Sequence, residues 1–313
     1  HLAKRPPNSL YPFSSHYLET RGLRLHYLDE GPHDAPPVLM LHGNPTWSFY
    51  YRNLVTALRD RYRCIVPDHI GCGLSDKPDD TAYDYRLRSR IEDLEALLAH
   101  LGLDQPLTLV VHDWGGMIGF AWAVQNPDRV ARTVIMNTAA FPLPADKKMP
   151  AALTLARDTR LGSFLVRRFN AFSAIAARVA FKKPVSREVR QAYTLPYDSP
   201  ANRIATLRFV QDIPLTESDP SFDILLNTAE HLHLLADKPC LIAWGERDFV
   251  FDTPFLNTWL RHYPHAVVRR FADCGHYVLE DGGPALLDTI VDFIGIKEDS
   301  NHGHASGKHP EQG

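Results

Sequence analysis

Short apolar, β-branched runs bounded by glycine, proline or polar residues recur along this chain, and most are followed by segments whose apolar positions repeat with helical spacing. The pattern predicts strands at His16 to Glu19, Leu23 to Leu28, Pro37 to Leu41, Cys64 to Val66, Leu107 to Val111, Thr133 to Met136, Cys240 to Trp244 and Val267 to Phe271. Helical spacing is clearest at Tyr51 to Arg59, Arg86 to Leu101, Met117 to Val124 and Gly283 to Ile294. The first two strands read as an antiparallel ribbon. Alternation of the others with helices implies an α/β fold, a mostly parallel central sheet covered on both faces, whose active site lies at the C-terminal ends of the strands.

From about Phe141 to Pro214 the alternation stops, and the residues suggest several helices broken by Pro150, Gly162, Pro184, Pro196 and Pro200. The expected division is a core formed by 1–141 and 214–299, an inserted helical cap over 142–213, and a polar, disordered tail over 300–313.

Composition narrows the function. The chain of 313 residues is 44% hydrophobic, enough for a sizeable core, and its formal charge of −3 offers no global basic field for nucleic acid. No apolar run reaches the length of a membrane-spanning helix, and His1 to Leu10 lacks the apolar centre of a signal peptide. Cys64, Cys72, Cys240 and Cys274 have no metal-ligand spacing and read as free structural thiols of a reducing compartment. Between Met149 and Arg190, nine Lys or Arg stand against two Asp or Glu. That excess fits either a face for a membrane surface or a partner, or a solvated cap surface whose apolar side covers a pocket; the second reading is preferred.

The chemistry concentrates at Val111, His112, Asp113, Trp114, Gly115 and Gly116. A buried strand that turns directly into a helix exposes its apex side chain above the sheet, and small residues after the apex permit the turn. Serine inside GxSxG is the usual apex; here Val111 replaces the first glycine and Asp113 the serine. A carboxylate needs no general base to attack saturated carbon or a strained ring, although a helix cap is the plainer role for such an aspartate.

Three other sites complete the pattern. His276 follows the last strand within Cys274, Gly275 and His276, and Asp248 follows the strand at Cys240 to Trp244. Together with Asp113 they give the order nucleophile, acid, histidine, with Asp252 a weaker rival for the acid. The loop His42 to Ser48 brings Asn44, whose amide can donate to an anion, and Trp114 offers an indole N–H to the same place. Nothing in the chain calls for a metal or cofactor.

The segments HGNPTWS, PDHIGCGLSDKP, VVHDWGG, GERD and CGH resemble the haloalkane dehalogenase branch of the α/β-hydrolases, from about Tyr17 to Ile296. Within it, FYYRNLV and PDHIGCGLSDKP are most similar to the OleB-type β-lactone decarboxylases of bacterial long-chain olefin biosynthesis. That resemblance implies a hydrophobic substrate, conversion of cis-3,4-dialkyl-oxetan-2-ones to cis-alkenes and carbon dioxide, a cytoplasmic location, and assembly with a β-lactone synthetase and a reductase. Haloalkane hydrolysis through an alkyl ester of Asp113 is the main alternative. One dehalogenase subgroup carries its acid as a glutamate after the sixth strand, where this chain has Asn137, so Asp248 is the better acid. Epoxide hydrolases share the elbow and use two cap tyrosines, for which Tyr193 and Tyr197 are candidates, but their loop reads HGFP where this chain has Asn44. A non-catalytic binding protein on the same fold is the remote reading.

Overall fold

Eight strands form a single sheet in the computed structural model, which describes residues 5–103 and 105–296. The tail expected over 300–313 lies outside the described residues. The strands are β1 (His16–Thr20), β2 (Leu23–Glu30), β3 (Pro37–Leu41), β4 (Arg63–Pro67), β5 (Leu107–Asp113), β6 (Val130–Thr138), β7 (Cys240–Gly245) and β8 (Val267–Phe271), in spatial order β1-β2-β4-β3-β5-β6-β7-β8. The first two form the antiparallel ribbon, with His16 opposite Tyr27, and β2 also runs antiparallel to β4. From β4 to β8 every pairing is parallel.

Because successive side chains of a strand point to opposite faces, the buried runs divide between two cores. Leu39, Leu41, Leu109, Val111, Ile135 and Ile242 pack on one face, beside α2 (Leu87–His100) and α3 (Trp114–Ala123). Val38, Met40, Val110, Val134, Met136 and Leu241 pack on the other, beside α1 (Arg52–Leu58) and the C-terminal helix Val278–Gly295.

Between β6 and β7 the chain leaves the sheet and forms α4 (Ala151–Asp158), α5 (Arg160–Phe169), α6 (Ala171–Val179), α7 (Arg187–Thr194), α8 (Ile204–Gln211) and α9 (Phe222–His231). Gly162 does not break a helix, contrary to the sequence expectation. It lies inside α5, where a Cβ would overlap the Leu155 carbonyl of α4, so close helix packing accounts for the glycine. The chain turns instead at Thr159, which is extended and caps α5 by accepting from the Gly162 N–H at 2.9 Å, and at left-handed Asn170. The remaining helices are α10 (Thr253–His262) and α11 (Val278–Gly295). The latter starts five residues before its sequence signal because a non-helical Gly283, followed by Pro284, joins two helical pieces.

The elbow also differs in detail from the sequence reading. Strand β5 continues through His112 to Asp113, and α3 starts at Trp114, so both glycines are helical. Their weak helix propensity is overruled by packing: a Cβ on Gly115 would strike the backbone carbonyl of Leu41.

Candidate active site

Asp113 sits at the junction of β5 and α3 with φ 51° and ψ −129°, a left-sided conformation rare for a residue with a Cβ and costing about 1–3 kcal/mol. The surroundings hold it there. The backbone N–H of Asn44, just past β3, donates to Oδ1 of Asp113 at 2.7 Å, and a Cβ on Gly43 would overlap that carboxylate. The main-chain carbonyl of Asp113 accepts from the Thr138 hydroxyl at the end of β6. Asp113 makes no side-chain cap to α3, so its carboxylate serves the space above the sheet rather than the helix.

His276, in the loop between β8 and α11, faces the other carboxylate oxygen: its Nε2 is 3.4 Å from Oδ2 of Asp113. Behind it, Nδ1 is 2.8 Å from Oδ2 of Asp248. Burial works against an imidazolium, but the Asp248 charge and the contacts with Asp113 and Asp248 overcome it and raise His276 to about 10. Burial likewise disfavours ionised Asp113, and here contact with His276 prevails, holding its carboxyl below the ordinary range. Asp248 is fixed by the Val250 N–H, which donates to its Oδ1 at 2.8 Å. The rival, Asp252, pairs with Lys147 at 2.6 Å and stands at the start of α10.

Three positions to which sequence reasoning gave no supporting role hold this constellation together. Asn137, buried at the end of β6 with φ 30°, accepts from the Gly245 N–H at 2.8 Å and donates to the Gly245 carbonyl at 2.9 Å and that of Phe251 at 3.3 Å. It thereby ties β6 to the loop carrying Asp248. His112 is pushed down to about 3 by burial and is neutral; since a carbonyl only accepts, its Nε2–H donates to the His276 carbonyl at 2.8 Å. Asp68 accepts from the Ser48 N–H at 2.6 Å and the Leu74 N–H at 2.8 Å, and meets His26 Nδ1 at 2.8 Å, anchoring the loop after β3 to the loop after β4. The signal available in advance was position alone, because each is a polar residue at a strand's C-terminal end.

A cavity of about 290 Å³ lies against these groups. Among its lining residues only Asn44, Asp113, Trp114, Lys147 and His276 bring polar side chains; Met117, Phe141, Leu153, Leu165, Phe172 and Val210 typify the rest. Asn44 spends one amide N–H on the Thr206 carbonyl of α8 at 3.0 Å, and its Oδ1 is buried without a partner among the described residues. The Trp114 indole N–H has no hydrogen-bond partner among the described residues, and its ring packs on Phe209. Tyr193 and Tyr197 do not line the cavity: both are buried, with their hydroxyls turned to Glu280 and to the Thr46 carbonyl. The two tyrosines considered for epoxide opening are therefore packing residues here. All four cysteines are free and buried; burial first of all raises their thiols, to about 12 at Cys64, Cys240 and Cys274 and about 11 at Cys72, which leaves them poor nucleophiles.

Comparison with known proteins agrees with this geometry. The alpha/beta hydrolase fold family matches residues 36–283. A cis-3-alkyl-4-alkyloxetan-2-one decarboxylase of Shewanella oneidensis is 55% identical over 288 residues, covering 92% of this chain and 90% of that protein. One from Xanthomonas campestris pv. campestris is 51% identical, covering 91% and 97%. Among solved structures, a haloalkane dehalogenase from Bradyrhizobium elkani superposes with a TM-score of 0.81 at 28% identity, over 90% of this chain and 97% of that one.

Proposed function

The chain belongs to the alpha/beta hydrolase fold family and, within it, to the cis-3-alkyl-4-alkyloxetan-2-one decarboxylases, and from that membership we infer that it is a lyase converting cis-3,4-dialkyl-oxetan-2-ones to cis-alkenes and carbon dioxide. The observation that carries this reading to individual residues is the Asp113 carboxylate against an apolar cavity, with His276 3.4 Å away and held from behind by Asp248.

The cavity suits the two alkyl arms, since burying each methylene is worth about 0.8 kcal/mol. One oxygen of Asp113 attacks the ring carbon bonded to the ring oxygen, and that C–O bond breaks with inversion, giving an Asp113 ester and a free carboxylate. Asn44 and Trp114 donate to this carboxylate. The bond from the carboxylate carbon to its neighbour then breaks, its electron pair becomes the alkene, carbon dioxide leaves, and the ester C–O bond breaks to restore Asp113. Inversion followed by departure from opposite faces converts a cis ring into a cis alkene. No proton or water is consumed. The His276 imidazolium, held by Asp248, stabilises the carboxylate returning on Asp113.

Haloalkane hydrolysis is the second reading, favoured by the 3.4 Å approach of His276 to Asp113 and by the likeness to a dehalogenase structure. In that cycle the alkyl ester leaves no carboxylate, of Asp113 or of the substrate, to support the imidazolium from the cavity side, so His276 releases its proton to solvent and the neutral ring activates water. Segment 142–213 acts as the cap that closes the cavity in either case. The protein acts in the cytoplasm beside a β-lactone synthetase and a reductase, because a strained oxetanone is best consumed where it is made.

Intact mass spectrometry separates the two cycles. With oxetanone, His276→Gln is expected to break its ester down more slowly but still release alkene, since elimination needs no base; with a haloalkane it is expected to stop at the alkyl ester. An oxetanone adduct that persists without releasing alkene would reject the elimination route.

A further inference from the structure

Among the described residues, twelve large hydrophobic side chains are exposed, and six of them fall within residues 155–179: Leu155, Leu161, Phe164, Phe169, Ile175 and Val179. This concentration makes a patch rather than the scatter of an ordinary surface. Phe164 and Phe169 are 55% and 63% exposed, yet their rings meet edge to face at 5.7 Å, so they form an apolar knob standing in solvent.

Charge accompanies the patch. On α5, exposed Arg160 and Arg168 share the outward face with Leu161 and Phe164; on α6, exposed Arg178 lies beside Ile175 and Val179; exposed Lys182 follows. The acids of this stretch are Asp158, which pairs with Arg157, and Glu188 at the start of α7. A helix with interleaved cations and large apolar groups on its exposed face is suited to an anionic lipid surface, where the cations meet headgroups and the apolar groups enter the acyl boundary.

The patch is also continuous with the cavity. Leu155, Ile175 and Val179 are exposed and line it, as does exposed Phe249. We propose that α4 to α6 form a docking face for anionic membranes, which sets the cavity mouth on the lipid so that apolar substrate enters, and alkene leaves, without crossing water. A protein partner is the less fitting occupant, because the feature that distinguishes this face is its continuity with an apolar mouth. This deepens the proposed function, and it rests on that reading for the identity of the substrate alone.

The test is co-sedimentation of the full chain with vesicles of phosphatidylglycerol and phosphatidylethanolamine, against vesicles of phosphatidylcholine. The expected result is binding to the anionic vesicles that weakens several-fold as salt is raised. It is lost in Phe164→Ser/Phe169→Ser and reduced in Arg160→Gln/Arg168→Gln/Arg178→Gln. None of these residues lines the cavity, so each variant is expected to keep wild-type turnover of a short-chain, water-soluble oxetanone, which also reports folding. Absence of binding, binding untouched by the phenylalanine variants, or capture of a partner protein through this face without any vesicle binding would overturn the proposal. Vesicle binding without oxetanone turnover would leave the docking face standing and reject the assigned reaction.

Discussion

The Nε2 of His276 stands 3.4 Å from Oδ2 of Asp113, while Asp248 holds the far side of the ring at 2.8 Å. An imidazole between two carboxylates stays protonated far above its ordinary range, and in the proposed cycle that charge receives Asp113 when the ester breaks. Alkene formation, followed as kcat/KM, should be level through neutral pH and fall as pH rises through about 10. Stability follows the same group. Its folded value lies above its unfolded value of about 6.5, so the contribution is complete below about pH 6.5 and lost towards about 10. The melting-temperature gap between wild type and His276→Gln should therefore narrow over that window. A gap that widens with pH would contradict the assignment.

Phe251 lies nearly parallel to the His276 ring, at 19° and 6.0 Å, and Phe249 approaches from 6.4 Å. They shield the ring that would activate water, and the ester must lose carbon dioxide before water reaches it. Phe251→Ala should therefore turn part of the flux from alkene to hydroxy acid, measured as a product ratio with total turnover of the same order. An unchanged ratio would remove water exclusion from the account.

Asn137 supports Asp248 indirectly through Gly245 and Phe251. Asn137→Ala leaves the Gly245 N–H and carbonyl unpaired in a buried place, at a cost of about 1–3 kcal/mol. A loss of thermal stability with a fall in kcat is expected, and KM should change little.

Tyr193 and Tyr197 give a negative control. With their hydroxyls directed to Glu280 and Thr46 and away from the cavity, Tyr193→Phe and Tyr197→Phe should each retain alkene formation within about twofold wherever the protein folds. A loss of a hundredfold without loss of structure would bring the tyrosines back into the chemistry.

Much of this site was legible in the sequence because parallel strands place whatever follows their C-terminal ends side by side. The central strands carried continuous apolar runs, and Asn44, Asp113, Asp248 and His276 all lie at or just past the C-terminal ends of strands. The inserted helices were less legible. Gly162 reads as a breaker in one dimension, but it is the contact point of α4 and α5 in three. Asn137 looked like a missing acid, and its role as a tie between two strands depends on a neighbour 108 residues away. Nor can spacing show that Trp114 follows Asp113 with no intervening turn, a feature set by how closely α3 packs on Leu41.

The most direct test is gas chromatography with mass detection on purified protein given a cis-3,4-dialkyl-oxetan-2-one, with Asp113→Ala in parallel to measure spontaneous breakdown. The expected result is cis-alkene from the wild type, reduced by at least about 10⁴-fold in Asp113→Ala, as befits loss of a nucleophile. Hydroxy acid as the sole product, a trans-alkene, or equal alkene from both proteins would contradict decarboxylation through Asp113.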